Sequence, residues 1–247
     1  MSEPGFDLLF ELLLAIVAVI AGAVAAVTGF GAGSLLTPAL AMETGTKLAV
    51  AAIAIPHFVA TAQRYWMLRR HVDRRILAGF GVASAIGGLS GALLGATFSS
   101  HGLALVFGVL LLLAGVSEFT GWMERVRWGQ RAAWVAGAVS GVLGGLVGNQ
   151  GGIRTAAMLG FNVPKESFVA TATAIALFVD GARLPVYLAT QGRDIAALWP
   201  LVLIATGGVI LGTAFGTRLL GWVPRAVFRR VIAALLMLLG VYMIAGA

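Results

Sequence analysis

Charged side chains are scarce in this sequence. Asp, Glu, Lys and Arg make up 11% of its 247 residues, whereas an ordinary soluble domain is roughly 25% charged. Hydrophobic residues make up 60%, and the mean hydropathy is +0.97. So few charges cannot cover the surface of a soluble globule of this size. The composition therefore excludes that class and indicates a protein whose solvent is lipid.

Cysteine is absent altogether, which excludes disulfides, thiolate metal sites and cysteine nucleophiles. The three histidines, His57, His71 and His101, lie on different segments and lack the spacing of metal ligands. No serine stands with a histidine and an acid in the arrangement of a catalytic triad. The sequence thus indicates no enzyme, no metal and no cofactor.

Basic residues are in excess, giving a net charge of +7, but they form no tract typical of nucleic-acid binding. Several arginines lie in short connectors between apolar runs, at 69–75 and 124–131. Cytoplasmic loops of membrane proteins concentrate Lys and Arg in this way. We therefore predict no nucleic-acid partner, and we expect both connectors to face the cytoplasm.

Apolar runs of the length of a membrane crossing recur along the chain, since a transmembrane helix needs about 20 apolar residues. Glycine-rich breaks at 28–33 and 148–152 each follow a crossing and precede a short apolar segment. We predict an all-α polytopic membrane protein with about eight full transmembrane helices and two short half-helices or re-entrant segments. The predicted crossings are 8–28, 48–68, 76–98, 102–122, 132–149, 166–190, 195–217 and 226–246.

An internal repeat begins at the two breaks. Aligning Gly29 with Gly148, an offset of 119, also aligns Arg64 with Arg183. Further along, the offset becomes 121 and three glycines at four-residue spacing match three others. These pairs are Gly87 with Gly208, Gly91 with Gly212, and Gly95 with Gly216. We prefer close helix packing as the role of these glycines, since small residues allow it in membranes.

The positions of the arginine-rich connectors set the orientation of the two halves. If these connectors are cytoplasmic, the first half starts outside the membrane and the second half starts inside. We therefore predict two inverted-topology repeats, 1–123 and 124–247, within one membrane domain, with both termini outside. Inverted repeats are the architecture of many secondary transporters.

Arg64 and Arg183 are the strongest functional signal in the sequence. An arginine at the bilayer centre costs about 2.5–3.5 kcal/mol on insertion scales. Arg64 could instead extend to the nearby cytoplasmic surface, and Arg183 could pair with Asp180 three residues earlier. Neither alternative explains why the repeat places arginine at equivalent positions. We predict a shared midplane site, because a planar guanidinium suits an oxyanion.

The breaks contribute the second part of this predicted site. A half-helix that starts at a break presents unpaired N–H groups and the positive end of its dipole to an anion. The predicted substrate-binding set is Arg64, Arg183, Asn149, Gln150, Gly31, Gly33, Gly151, Gly152 and Thr61. Candidates for ion coupling or for support of the site are His57, Asp180, Gln63, Arg154 and Tyr187. The alternatives are a packed His57 near Pro56 and an Asp180 that only neutralises Arg183.

Four segments of the chain resemble the TauE/SafE family of sulfite and organosulfonate exporters. They are Thr28-Gly-Phe-Gly-Ala-Gly-Ser-Leu-Leu-Thr-Pro38, Ala49-Val-Ala-Ala52, Gly148-Asn-Gln-Gly-Gly152 and Phe168-Val-Ala-Thr171. The resemblance covers essentially the whole chain and implies a transporter that exports a small sulfur oxyanion. The second half departs from the pattern, with Ala157 in place of a mate for Pro38, and with polar residues in its break. This departure favours a second break specialised for ligand contact.

Taken together, these features predict a secondary transporter of sulfite, thiosulfate or a short organosulfonate in the cytoplasmic (inner) membrane. Its partners would be the small anion and the lipid bilayer. Coupling to protons or sodium and assembly into a homo-oligomer stay open at this stage. The alternatives are a passive small-anion channel and a membrane enzyme on an anionic lipid, with Asp180 or His57 as its base. A non-transporting scaffold would leave the arginines unexplained.

Overall fold

The computed structural model of the chain describes residues 7–28, 31–125, 130–148, 151–161, 163–220 and 224–247. In this part of the chain the regular elements are all helical, and no strand is present. A π-helical turn at Leu77–Gly81 joins α4 to α5. The α-helices are α1 Leu8–Thr28, α2 Ala32–Thr44, α3 Thr46–Leu68, α4 Arg74–Ile76, α5 Val82–Thr97, α6 Ser100–Thr120, α7 Trp122–Arg125, α8 Gln130–Val147, α9 Gly151–Met158, α10 Lys165–Ala197, α11 Trp199–Leu220 and α12 Arg225–Ala245.

Six helical segments of the described chain are long and apolar enough to cross a membrane, where eight crossings were predicted. They are Leu8–Thr28, Arg74–Thr97, Ser100–Thr120, Glu166–Ala197, Trp199–Gly216 and Ala226–Ala245. The crossing predicted at 48–68 forms a full-length helix, α3, but its polar residues lower its hydropathy. The crossing predicted at 132–149 is a shorter apolar helix, Ala132–Val147. The protein is therefore a multi-pass membrane protein, and six of its described helices are each long and apolar enough to cross the membrane.

Short helices follow both glycine-rich breaks, at the places where half-helices were predicted. Before α2, Gly31 has a φ of 109°, and after α8, Gly148 has a φ of 75°. L-residues with a side chain rarely adopt such angles, so glycine allows the chain to turn there. The helices differ in length, because α2 has 13 residues and α9 has 8.

Helices of the first half pack in pairs against helices of the second half. The pairs are α1 with α11, α3 with α10, α5 with α8, and α6 with α12. Glycines line two of these contacts: a side chain at Gly212 would meet the backbone of Val19, and one at Gly87 would meet the backbone of Ala138. Small residues thus let the backbones approach closely.

These glycine contacts give a different register from the sequence alignment. Val19 and Ala138 are 119 residues apart, the same offset that relates the two breaks. Their glycine partners, Gly212 and Gly87, are 125 residues apart. The alignment had instead matched Gly87 with Gly208. By their contacts, Gly87 of α5 therefore corresponds to Gly212 of α11, which lies about one helical turn later than the glycine matched by the sequence alignment.

The pair α3 and α10 lies inside the bundle and carries most of the buried polar side chains. α3 also contacts α2 and α11, and α10 also contacts α5. A helix surrounded by protein can carry charged residues on faces that avoid lipid. This placement accounts for an α3 that is full-length yet less apolar than its neighbours.

Candidate functional site

Five buried titratable side chains form a central charge cluster on α3, α9 and α10. They are His57, Arg64, Arg154, Asp180 and Arg183, and each is at most 8% exposed. Burying a charge is costly unless the charge is paired and hydrogen-bonded. The contacts of each member therefore indicate which charges the protein itself satisfies.

Asp180 is satisfied on both of its carboxylate oxygens. Its Oδ2 lies 2.7 Å from Nδ1 of His57. Its Oδ1 accepts from Arg183 Nε at 3.0 Å and lies 2.8 Å from Arg183 Nη2. Since His57 belongs to α3 and Asp180 to α10, this buried network connects the two halves of the chain.

Arg183 uses all three guanidinium nitrogens within the protein. Besides its contacts with Asp180, its Nη1 donates to the carbonyl of Gly144 at 2.8 Å. The hydroxyl of the neighbouring Tyr187 donates to the carbonyl of Gly145. The pairing with Asp180 that was an alternative for Arg183 is thus observed, and no nitrogen of this guanidinium is left without a partner.

Arg64 makes the matching contact in the first half but lacks the carboxylate. Its Nη1 donates to the carbonyl of Ala25, whereas its Nε has no partner among the described residues. Ala25 and Gly144 each lie three residues before the end of their helix. Carbonyls at a helix C-terminus lack helical partners and favour a nearby cation. Each arginine therefore stabilises a helix end next to a break.

Arg154 lies in the first turn of α9, where it was predicted, and is only 2% exposed. Neither its Nε nor its Nη1 has a partner among the described residues. Its charge interacts with those of Arg64 and Asp180, so these groups lie near one another. Asp180 is already shared between His57 and Arg183. Two guanidinium groups in this region thus retain unused N–H donors.

The two breaks meet beside the central charge cluster. A Cβ at Gly33 would lie 3.0 Å from the carbonyl oxygen of Gly148 and 3.8 Å from Cδ2 of His57. A Cβ at Gly148 would lie 3.1 Å from Nη1 of Arg183. The backbones of the two breaks therefore approach each other closely beside His57 and Arg183. The structure brings the two predicted glycine-rich segments together.

The surroundings of the remaining predicted site residues differ. Gly31 is buried, and Gly151 and Gly152 form the first turn of α9. Thr61 is fully buried, with its Oγ1 3.5 Å from His57 Nδ1. Gln63 is half-buried and its Oε1 has no partner among the described residues. Asn149 and Gln150 lie outside the described residues.

A cavity of about 120 Å³ adjoins Arg64 and contains polar residues that the sequence patterns missed. Thr173 of α10 and Thr213 of α11 contribute to its wall, and Oγ1 of the buried Thr213 has no partner. The sequence pattern assigned the preceding residue, Gly212, only to helix packing. The polarity of Thr213 within an apolar segment was the sequence signal that could have identified it. The lining residues are Ala25, Ala26, Arg64, Met67, Leu68, Val169, Thr173, Thr213 and Ala214.

Comparison with known proteins identifies one family. The family model described as Sulfite exporter TauE/SafE matches residues 14–243, which is nearly the whole chain. No curated protein and no solved structure matches the chain. The match covers both breaks and every member of the central charge cluster.

Proposed function

Because the chain belongs to the sulfite exporter TauE/SafE family, we propose that it is a secondary transporter for a small sulfur-containing anion. The substrate would be sulfite, thiosulfate or a short organosulfonate, exported across the cytoplasmic membrane. The family is one of transporters, in line with the expectation that the chain is not an enzyme. Six apolar helices support the multi-pass location.

The observation that carries this proposal is the pair of incompletely satisfied, buried arginines Arg64 and Arg154. Unused guanidinium donors inside a membrane protein are costly unless a ligand occupies them. A bound oxyanion would accept from these donors and offset their charge. The backbone of the two breaks lies beside them and would supply further N–H donors.

Arg183 takes a supporting role in this mechanism. Its contacts with Asp180 and Gly144 hold α10 against the end of α8. A role for Arg183 as a direct ligand stays a prediction, but its saturated contacts favour Arg64 and Arg154. The anion site is therefore asymmetric, although its frame is nearly symmetric.

Alternating access follows from inverted repeats, which we propose for the two halves. Arg64 and Arg183 contact carbonyls that each lie 39 residues earlier in the chain. Two helix pairs, α3 with α10 and α6 with α12, join helices that hold equivalent places in the two halves. The pairs α1 with α11 and α5 with α8 are related to each other by the same correspondence. Rocking one half against the other would expose a fixed site to either side of the membrane in turn. Both termini would lie outside.

Transport by purified protein in lipid vesicles tests this proposal. We expect saturable uptake of radiolabelled sulfite or thiosulfate, and a loss of at least about tenfold in Arg64→Ala, since truncating a buried charged contact costs about 2–5 kcal/mol. Arg70→Ala, which removes an exposed arginine six residues later, is the control and should transport normally.

The outcome also separates the rival functions. Flux that rises linearly with anion concentration would favour the passive channel. Wild-type rates in Arg64→Ala would remove Arg64 from the site. Arg183→Ala should instead unfold more readily, by about 3–5 kcal/mol, because it leaves a buried carboxylate without its cation. Thermal unfolding of each variant in detergent distinguishes lost binding from lost structure.

A further inference from the structure

The buried charges of the described side chains do not balance. Three arginines and one carboxylate, Asp180, lie in the central charge cluster, together with His57. The three guanidinium groups carry three positive charges, and they face one negative charge. The pair formed by Asp180 and Arg183 cancels. The excess positive charge therefore belongs to Arg64 and Arg154.

From this imbalance we infer that the anion site holds a compact dianion in preference to a singly charged sulfonate. The inference rests on the proposed transport function and narrows its substrate class. One dianion between the guanidinium groups of Arg64 and Arg154 offsets both charges at once. A monoanion would leave one buried cation uncompensated, which is costly in a low-dielectric interior.

The unused donors of the two arginines fit a ligand shared between them. The two buried cations also repel each other, and an anion would offset that repulsion. Each has at least one unused N–H donor, namely Nε of Arg64 and Nε and Nη1 of Arg154. Guanidinium groups bind oxyanions through two parallel hydrogen bonds, which makes a tetrahedral oxyanion a suitable bridge.

The space beside Arg64 favours a small ion. The cavity of about 120 Å³ has room for a few water molecules or one small oxyanion. Its polar wall includes Thr213, whose hydroxyl has no partner in the described part of the chain. Apolar residues such as Val169 and Ala214 form the rest. An aromatic sulfonate would exceed this space.

A comparison of thiosulfate with methanesulfonate separates the effect of ligand charge on binding from the effect of ligand shape. Both anions are tetrahedral and similar in size, because methanesulfonate has a methyl group where thiosulfate has its terminal sulfur. Thiosulfate carries two negative charges and methanesulfonate carries one. We propose to measure the Kd of each anion by calorimetry on the purified full chain. Thiosulfate should bind at least about tenfold more tightly, because two buried cations attract the second charge.

Variants at Arg154 test the origin of this preference. Arg154→Gln removes one unit of charge and should weaken thiosulfate binding at least about tenfold, but methanesulfonate binding only about threefold, because the lost Coulomb attraction scales with the charge of the ligand. Arg154→Lys keeps the charge and should retain the preference for thiosulfate. Thermal unfolding without any anion checks both variants, and Arg154→Gln should fold well because it removes a buried charge that has unpartnered donors.

Each outcome either supports or overturns the inference. Equal affinities in the wild type, or tighter binding of methanesulfonate, would overturn the dianion while leaving anion transport intact. A thiosulfate preference that persists in Arg154→Gln would also overturn the assignment to this charge pair. Failure of both anions to bind a protein that transports sulfite in vesicles would contradict the inference alone. Absent sulfite flux would instead defeat the proposed function.

Discussion

At the scale of single residues, His57 and Asp180 break the likeness between the two halves. By the offset of 119, the position of Asp180 corresponds to Thr61, and that of His57 corresponds to Ala176. Each half thus adds one titratable group that the other lacks, and these two groups meet at 2.7 Å. Their contact connects α3 with α10. Because these two groups lie between the halves, we propose a proton as the coupling ion.

Replacing His57 tests proton coupling. We expect His57→Gln to exchange labelled sulfite across vesicle membranes but to lose accumulation driven by a pH gradient, because glutamine cannot carry the proton. His71→Gln, at an exposed histidine, should keep both activities. If His57→Gln still accumulates sulfite under a pH gradient, His57 has only a packing role, and sodium gradients become the next driving force to compare.

The sequence could predict the members of the site better than their roles. Arg64, Asp180 and Arg183 were recognisable because charge is rare in apolar segments. Which guanidinium is neutralised depends on contacts between helices, and spacing along one helix cannot decide this. Thr213 was missed for the same reason: its unpartnered hydroxyl is defined by the walls of a cavity.

At the scale of helices, hydropathy located most elements closely. The crossing predicted at 8–28 coincides with α1, and the one predicted at 102–122 is shifted by two residues from α6. By contrast, α10 continues to Ala197, beyond the predicted end at 190. Hydropathy measures the thickness of lipid that a segment matches, whereas backbone hydrogen bonds can extend a helix into water. Helix ends in polar sequence are therefore hard to predict.

Two glycines of α11 offer a matched test of close helix packing. A Cβ at Gly212 would collide with the backbone of α1, whereas a Cβ at Gly207 would have nothing within 4 Å. Gly212→Ala should lower the free energy of unfolding by about 1–3 kcal/mol through overpacking. Gly207→Ala should raise it by up to about 1 kcal/mol, because alanine favours a helix over glycine.

Thermal unfolding of both variants in the same detergent checks this prediction. The two variants should change the free energy of unfolding in opposite directions. A general effect of replacing glycine with alanine would instead change it in the same direction in both. A Gly212→Ala protein as stable as the wild type would show that α1 and α11 can separate without cost. The close contact seen here would then not hold the two halves together.

At the scale of the whole molecule, the helix pairs relate the two halves more strongly than any motif. Each of the four main pairs takes one helix from each half, so neither half forms its own separate bundle. The sequence repeat predicted two halves but not this interleaving, because pairing between distant segments leaves no periodic signal. If the two halves are inverted repeats, as we propose, the central charge cluster would lie near the axis between them.

We predict opposite orientations for the two halves, and this topology requires the connectors of the first half to alternate across the membrane. Because the chain has no cysteine, one engineered cysteine reports on one position without background. His71 and His101 are both exposed. His71 lies in the connector after α3, and His101 lies in the first turn of α6, directly after the next connector. We expect a membrane-impermeant maleimide to label His101→Cys in intact cells and His71→Cys only after permeabilisation, since arginine-rich connectors stay in the cytoplasm. Labelling of His71→Cys from outside would reverse the orientation, and labelling of both from one side would contradict a crossing between them.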